Sequence, residues 1–364
     1  MKLKRGAERI IARTSAYHWQ PYSRLFLKSD GVDWVLSGEM KALSEVCKQI
    51  KIRVADSKYF PYAKRQSVFF ASRYELLKSG VWKKSTNRLA TAYFHGRPGS
   101  GEPIFDELHK TLCEAHPHIH RVQVSYTEMR EVVLSSGIDS RKVFLIPIGI
   151  DISAFNLRTP ESKKNARIKF GIPESAVVVG SFQKDGSGWG DGNEPKLIKG
   201  PDVFLAGIKV LRRKVPELFV LLTGPSRGYV IHGLQEMDVP FKHIQFENYH
   251  DINEAYQTLD LYIVASRQEG GPKAVLECMA TGIPLVSTRV GQAMDLVKHG
   301  ENGWLTEVED IEGLVHWSSA ALQQTDLDKK RMIQSARRTA EENSYVAQIP
   351  LWKKFMDGFV ETES

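Results

Sequence analysis

The sequence predicts an α/β protein built from two doubly wound parallel-sheet domains in series. Three observations predict it. At 364 residues the chain exceeds what one ordinary core organises. Short apolar runs alternate with helical patterns along its whole length, the mark of parallel sheets. A segment punctuated by Pro147 and Gly149, residues 142–155 (KVFLIPIGIDISAF), divides the chain before its midpoint. The expected division is a first domain over 1–150, a second over 151–340 and a helical tail over 341–364.

In the first half, residues 24–28 (RLFLK) read as a strand that meets a turn at Ser29-Asp30-Gly31. A helix follows over 32–50, with Val35, Leu36, Met40, Leu43, Val46 and Cys47 on one side. Residues 52–55, 67–71, 89–94 and 122–125 are further strand candidates, and a helix over 127–136 ends at Gly137. After the division, residues 158–169 are polar and charged and read as linker. The second half has strand candidates at 176–181, 218–222, 243–246, 261–264 and 284–287. Helices are expected at 201–214, 252–258, 272–281 and 294–299, and the tail from 311 to 360 has helical composition.

Composition narrows the class. Hydrophobic content of 42% and charged content of 26% are those of a soluble globular protein, and no apolar run has the length of a membrane span. Cys47, Cys113 and Cys278 are too widely spaced for a metal motif or a disulfide framework, which fits a reducing cytoplasm. The N-terminus has basic residues without an apolar signal core, so no secretory peptide is expected. Charge is uneven: residues 1–150 hold 25 Lys and Arg against 14 Asp and Glu, the remainder 25 against 29. A basic first half suits an anionic partner such as an acidic membrane face, a phosphorylated acceptor or nucleic acid; a solvated surface is the plain alternative.

Ligands of open parallel sheets bind beyond the carboxyl ends of the strands, so the chemistry is sought there. After residues 176–181 comes a long glycine-rich excursion, FQKDGSGWGDGNEPKLIKG, with Lys184 and Lys199. Lys199-Gly200-Pro201 opens a helix, and a lysine at a helix N-terminus favours a phosphate. After 218–222, Arg227 is a forked donor for phosphate or ribose, with a surface arginine as the alternative. After 243–246, Tyr249 and His250 sit where a base can stack or pair, though a tyrosine there also serves packing. After 261–264 comes SRQEGGPKAVLE. Gly270, Gly271, Pro272 and Lys273 bring backbone N–H groups to a helix start, with Glu269 before them and Glu277 in the helix. A carboxylate placed like Glu277 accepts ribose hydroxyls, and Glu269 suits the reacting group. In the first half His95, followed by Gly96-Arg97-Pro98-Gly99, faces a crevice of the same kind, where imidazole donates a hydrogen bond or moves a proton. Asp30 and Gly31 form the other strand-end turn, suited to a diphosphate or an acceptor. GxxxxGK[ST], GxGxxG after the first strand and HExxH are all absent.

The stretch from Ser266 to Leu305 resembles the C-terminal signature of GT-B glycosyltransferases of family 4: Glu269 and Glu277 in Glu-x7-Glu, then Met279-Ala280-Thr281-Gly282-Ile283-Pro284, then Gly291. VFLIPIGIDISAF resembles that family's interdomain linker and LATAYFHG the strand ending in its active-site histidine. The resemblance implies a GT-B fold of two Rossmann-like domains facing a cleft, with the last helix packing back on the first domain. It implies a retaining transferase that moves a sugar from a nucleotide-diphosphate sugar to a hydroxyl of a glycan or lipid-linked acceptor. It needs no cofactor and no metal, and places the chain in the cytoplasm or peripherally on an inner membrane face. Lys199 then corresponds to the diphosphate-binding lysine. Lys184 stands in for an arginine that this chain lacks in that loop. Glu277 would bind ribose, Glu269 and His95 would face the sugar, and residues 270–273 would supply backbone amides. Two rival readings differ in kind. One is a nucleotide-sugar epimerase or hydrolase of the same fold. The other is a basic nucleic-acid-binding protein using Tyr59, Phe60, Tyr62, Phe69 and Phe70 among Lys58, Lys64, Arg65 and Arg73; no nucleic-acid partner is expected under the resemblance.

Overall fold

The computed structural model describes residues 19–29 and 35–361 and divides into two compact units. One comprises the chain up to Ile148 together with Tyr345 onward; the other is Gly149–Ser344. Asp30 and Gly31 lie outside the described residues.

In the first unit, strands β1 (Leu25–Lys28), β2 (Ser67–Phe70), β3 (Arg88–Ala92), β4 (Ile119–Val124) and β5 (Val143–Leu145) form one parallel sheet in that order. Residues 52–55, expected as a strand, contribute only a bridge from Val54 to Leu25. One sheet face packs Leu25, Phe69, Ala90 and Ala92 against the helix Ile349–Met356. The Phe69 ring lies 5.9 Å from Trp352 and 5.7 Å from Phe355. These aromatics exclude water from the sheet face, and truncating one such ring typically costs about 3–5 kcal/mol. The aromatic–basic mixture of the rival nucleic-acid reading is thus spent partly on the core, since Phe69 and Phe70 are buried in β2. Arg73 is also 97% buried, its relative exposure being 3%.

In the second unit, β6 (Val177–Ser181), β7 (Leu218–Thr223), β8 (Phe241–Ile244), β9 (Leu261–Val264), β10 (Leu285–Thr288) and β11 (Trp304–Thr306) form a parallel sheet ordered β11-β10-β9-β6-β7-β8. Alternate residues serve its two faces. Val178, Leu221, Tyr262, Val264 and Leu285 join one cluster; Val179, Val220, Leu222, Ile263 and Val286 join the other. Period-two alternation with both faces covered by helices is what makes these strands read as continuous apolar runs. The chain reverses direction across the sheet between β6 and β9, so their carboxyl ends frame the crevice where such sheets bind ligands.

Three expectations need correction. Residues 158–169 are not linker: Pro160–Phe170 is a helix. Thr159 and Ser162 cap it reciprocally, Pro160 occupies its first turn and Gly171 closes it in the left-handed conformation. Its apolar signal is faint because it is held by charge. The helix expected at 294–299 is a single turn, Ala293–Leu296, and β11 was not anticipated in three residues. The strand expected at 243–246 lies two residues earlier, where it pairs with β7.

Asp260 anchors the charged helix. Its carboxylate accepts from Lys163 Nζ at 2.6 Å, Arg167 Nη2 at 2.7 Å and the Val178 N–H at 2.9 Å. Burial raises its pKa, but the Lys163 and Val178 hydrogen bonds and both cations outweigh that and leave it below the ordinary 3.8. A carboxyl lowered in the folded state stabilises above its unfolded pKa and loses that stabilisation as pH falls through the folded value. Asp260→Asn is therefore expected to cost about 1.5–3 kcal/mol at pH 7. It should also flatten the loss of stability below pH ~4, measured by urea denaturation across pH.

Candidate functional site

The β6–β9 crevice is built from two loops that fit closely. The 3-10 turn Leu197–Lys199 after β6 accepts, at the Ile198 carbonyl, the N–H groups of Arg267 (2.9 Å) and Gln268 (3.1 Å) from the loop after β9. Gly200 follows with φ +63°, and a Cβ there would collide with the Ala265 carbonyl, so only glycine lets the two loops meet. The helix Pro201–Lys214 starts at once. Asp202 in its first turn holds Arg267 through a forked pair at 2.9 and 2.7 Å, which fixes the second loop on the first.

At the centre, Lys199 Nζ lies 2.6 Å from Glu269 Oε1, and the Ser266 hydroxyl donates to the same oxygen at 2.9 Å. The Glu269 side chain is 10% exposed and that of Lys199 23%. A carboxylate this enclosed is stable because its partners are at hand. Gln183 ties the floor, donating to the Lys199 carbonyl at 2.8 Å, with its Oε1 3.2 Å from the Ser266 hydroxyl oxygen. The structure thus brings together two residues that the sequence placed 70 positions apart.

Lys196 is a site residue that the sequence reading passed over. Burial first, then the positive charges of Lys199 and Lys184, push its pKa below the ordinary 10.5, with Glu269 acting in the opposite sense. Lys184, Lys196 and Lys199, all half-buried, are thus near enough for their charges to act on Lys196. The signal was in Lys196-Leu197-Ile198-Lys199, whose three-residue spacing puts both lysines on one side of a 3-10 turn. Lys184, from the glycine-rich excursion, places Nζ 4.2 Å from the centre of the Trp189 ring.

Glu277 is 3% exposed, in the second turn of the helix Lys273–Thr281. Both its oxygens accept from tyrosine hydroxyls: Oε2 from Tyr256 at 2.6 Å and Oε1 from Tyr249. Burial and then the Glu277 charge hold the Tyr256 pKa well above 10.0, so it stays a donor. Tyr249 is 44% exposed, and Lys273 Nζ lies 5.0 Å from its ring centre. His250 is exposed, its ring 5.7 Å from that of Tyr249. The Gly270 backbone is braced by Gln292 N–H at 3.3 Å, beside Gly291 at φ +52°. Pro272 caps the helix from outside rather than occupying its first turn, so the helix begins at Lys273.

Arg227 is the marked departure from expectation. It is 1% exposed, and its guanidinium donates to Asp185 Oδ1 (2.9 Å), the Ser181 and Thr223 carbonyls (2.6 and 2.7 Å) and the Ser181 hydroxyl (3.2 Å). All three nitrogens are engaged, so Arg227 builds the crevice wall instead of facing a phosphate. In the first unit, His95 follows β3, its ring 5.9 Å from Phe105 and its Nδ1 3.5 Å from Arg73 Nη1. Arg73, read from the sequence only as part of a basic surface, rests its buried charge on the faces of Tyr74 and Tyr93, each ring centre 4.6 Å away. Among the described residues no group of His, Cys, Asp and Glu is placed to hold a metal ion, and no helix is long and apolar enough to cross a membrane.

Residues 195–339, which contain the Lys199–Glu269 pair and Glu277, match the model of the family "glycosyl transferases group 1". Over that stretch the chain is similar to a glycosyl transferases group 1 domain. A D-inositol 3-phosphate glycosyltransferase of Corynebacterium urealyticum is 26% identical over 251 residues, 64% of this chain and 56% of that protein. An N-acetyl-alpha-D-glucosaminyl L-malate synthase of Bacillus anthracis is 25% identical over 48% of this chain and 43% of that one. The lipopolysaccharide core biosynthesis mannosyltransferase LpsB of Rhizobium meliloti is 28% identical over 54% and 52%. The chain spans about half the length of these relatives. Beyond the group 1 domain, the fold of the whole chain is like that of HepE of Anabaena, solved in complex with UDP and glucose: the TM-score is 0.71, at 16% identity, over 92% of this chain and 99% of that one. A glycosyltransferase of Rickettsia africae is similar at a TM-score of 0.65 and 16% identity, over 93% and 99%. The fold class is the GT-B one expected, two parallel-sheet α/β domains of five and six strands.

Proposed function

We propose that this chain is a retaining glycosyltransferase that moves a sugar from a nucleotide-diphosphate sugar to a hydroxyl of a glycan or lipid-linked acceptor, in glycan or cell-envelope synthesis. The observation that carries it is the Lys199–Glu269 pair at the β6–β9 reversal, inside the group 1 match with Lys196, and edged by Lys184 from the loop before it. Three lysines gathered around the Glu269 carboxylate make an edge that suits a diphosphate. Relatives named as glycosyltransferases and a fold neighbour holding UDP support the donor class.

In this reading the bond from the anomeric carbon to the phosphate oxygen breaks with its electron pair left on the phosphate. The acceptor oxygen bonds to the same face of that carbon, and its proton passes to the departing phosphate. Lys199, Lys196 and Lys184 stabilise the growing diphosphate charge. Glu269 and the backbone amides of Gly270–Lys273 orient the sugar. Glu277 takes the ribose hydroxyls once Tyr249, whose hydroxyl now occupies one carboxylate oxygen, turns aside. Tyr249 and His250 then flank the base. Neutralisation by lysines makes a metal unnecessary. An anionic inner membrane face would meet the basic first half.

The test is thermal-shift screening of a nucleotide-sugar panel, followed by NMR of the product's anomeric centre with the donor that binds. A donor at 100 times its Kd adds about 2.7 kcal/mol of stability. Retained configuration, transfer undiminished by a chelator, and no isomerised donor in the absence of acceptor are the expected results. Donor isomerisation alone would shift the reading to an epimerase. Steeply salt-dependent nucleic-acid affinity with no nucleotide-sugar binding would replace it altogether.

A further inference from the structure

The glycine-rich excursion between β6 and Lys196 lies before residue 195, where the family match begins. It is nonetheless built with care. The Gly186 N–H donates to the Ser226 carbonyl at 2.8 Å, Ser187 N–H to Glu194 at 2.8 Å, Gly228 N–H to Asp191 at 2.7 Å and Tyr229 N–H to Gly192 at 2.9 Å. The Ser226 hydroxyl donates to the Gly190 carbonyl at 2.9 Å. Gly186 and Gly192 lack room for a Cβ, since each would strike neighbouring backbone. Beneath them the Asp185–Arg227 pair is sealed from water. Such a loop is pre-organised, and holding a group in place beforehand lowers the cost of binding.

What this loop presents is Trp189, 63% exposed. An indole is the side chain with most to gain from burial, so a rigid loop that lifts one into water is set to cover something. The charged edge of the crevice is adjacent, since Lys184 Nζ stands 4.2 Å from the ring centre and belongs to the lysine group around Lys196. The exposed residues that flank Trp189 along the loop are small or polar: Ser187, Gly188, Gly190, Asp191, Asn193 and Glu194. A flat aromatic face on a loop rich in hydrogen-bonding groups fits a ligand with one C–H face and a belt of hydroxyls.

We infer that Trp189 is a saccharide platform, stacking on a sugar ring of the acceptor while Lys184 faces the phosphate edge. The inference rests on the transferase reading. It adds a determinant of acceptor choice that lies outside the matched family region.

The test uses the full chain labelled with 5-fluorotryptophan. The chain has 7 tryptophans, and Trp→Phe replacement at 189 assigns its fluorine resonance by loss. Titrants are UDP and GDP, then a panel of methyl glycosides and disaccharides with the nucleotide present, then phosphatidylcholine–phosphatidylglycerol vesicles. The resonance is expected to stay in place with nucleotide and to move with at least one glycoside. Trp189→Ala should raise that glycoside's Kd about tenfold, and Trp189→Phe under threefold, with nucleotide Kd and unfolding midpoint unchanged. Movement with nucleotide alone would make Trp189 a base-stacking residue, and movement with vesicles alone a membrane contact. Either result, or silence toward every saccharide, overturns the inference. Failure of all nucleotides and nucleotide-sugars to bind would instead overturn the transferase reading, and the glycoside titration would still report on Trp189.

Discussion

Lys199→Ala is expected to lower turnover about a hundredfold, within the ~10²–10³ range for removing a group that stabilises transition-state charge. Glu269→Ala should cost a similar factor. The two losses should differ in character. If Lys199 meets the charge that grows as the phosphate departs, as proposed, its removal should lower kcat with a smaller change in the donor's KM. In the proposed reading Glu269 orients the sugar, and its 2.6 Å contact also holds Lys199. Its loss should therefore raise KM and lower kcat together. Removing Lys199 leaves the enclosed Glu269 carboxylate with the Ser266 hydroxyl as its remaining side-chain donor among those described above. Lys199→Ala should thus lower stability a little, while Lys199→Arg preserves the charge and separates that effect from catalysis. Steady-state kinetics with the donor identified by thermal shift, alongside urea denaturation, check both. Wild-type turnover in Lys199→Ala and Glu269→Ala would remove the pair from the chemistry.

Much of this site was legible because its chemistry and its backbone demands coincide in sequence. A lysine before Gly-Pro, and two glutamates around Gly-Gly-Pro, each mark a strand end running into a helix, and the sheet reversal between β6 and β9 then brings both ends to one crevice. Lys196 and Arg227 show where such reading stops. Lys196 looked like one of many surface lysines; only the 3-10 turn and its neighbours show it crowded and partly dehydrated. Arg227 looked like a ligand-facing cation because it follows a strand, yet residue position does not tell which way a long side chain turns. Its partner Asp185 lies 42 residues away, and nothing in either local pattern points to the other. The helix Pro160–Phe170 failed for a related reason. Its stability comes from capping and from Asp260, about 100 residues on, so it lacks the apolar stripe by which helices are recognised.

Arg227→Ala is expected to be the most destabilising single change in the second unit. Asp185 is 0% exposed, its Oδ2 has no hydrogen-bond partner, and burial already pushes its pKa upward against the pull of Arg227. Removing the guanidinium leaves a buried acid with its main compensation gone, a change that costs about 3–5 kcal/mol. Four hydrogen-bonding positions on Ser181, Thr223 and Asp185 lose their donor at the same moment. The damage should spread to the crevice, because the Asp185 carbonyl accepts the Lys196 N–H at 2.7 Å and the same loop carries Lys184. Hydrogen exchange over residues 182–196 should quicken in Arg227→Ala, and affinity for the nucleoside diphosphate should fall with it. The double variant Asp185→Asn/Arg227→Met removes both charges and should recover about 1–3 kcal/mol relative to the sum of the single changes. Additive losses in urea denaturation, or unchanged exchange in the loop, would mean that the buried pair does not hold the site in shape.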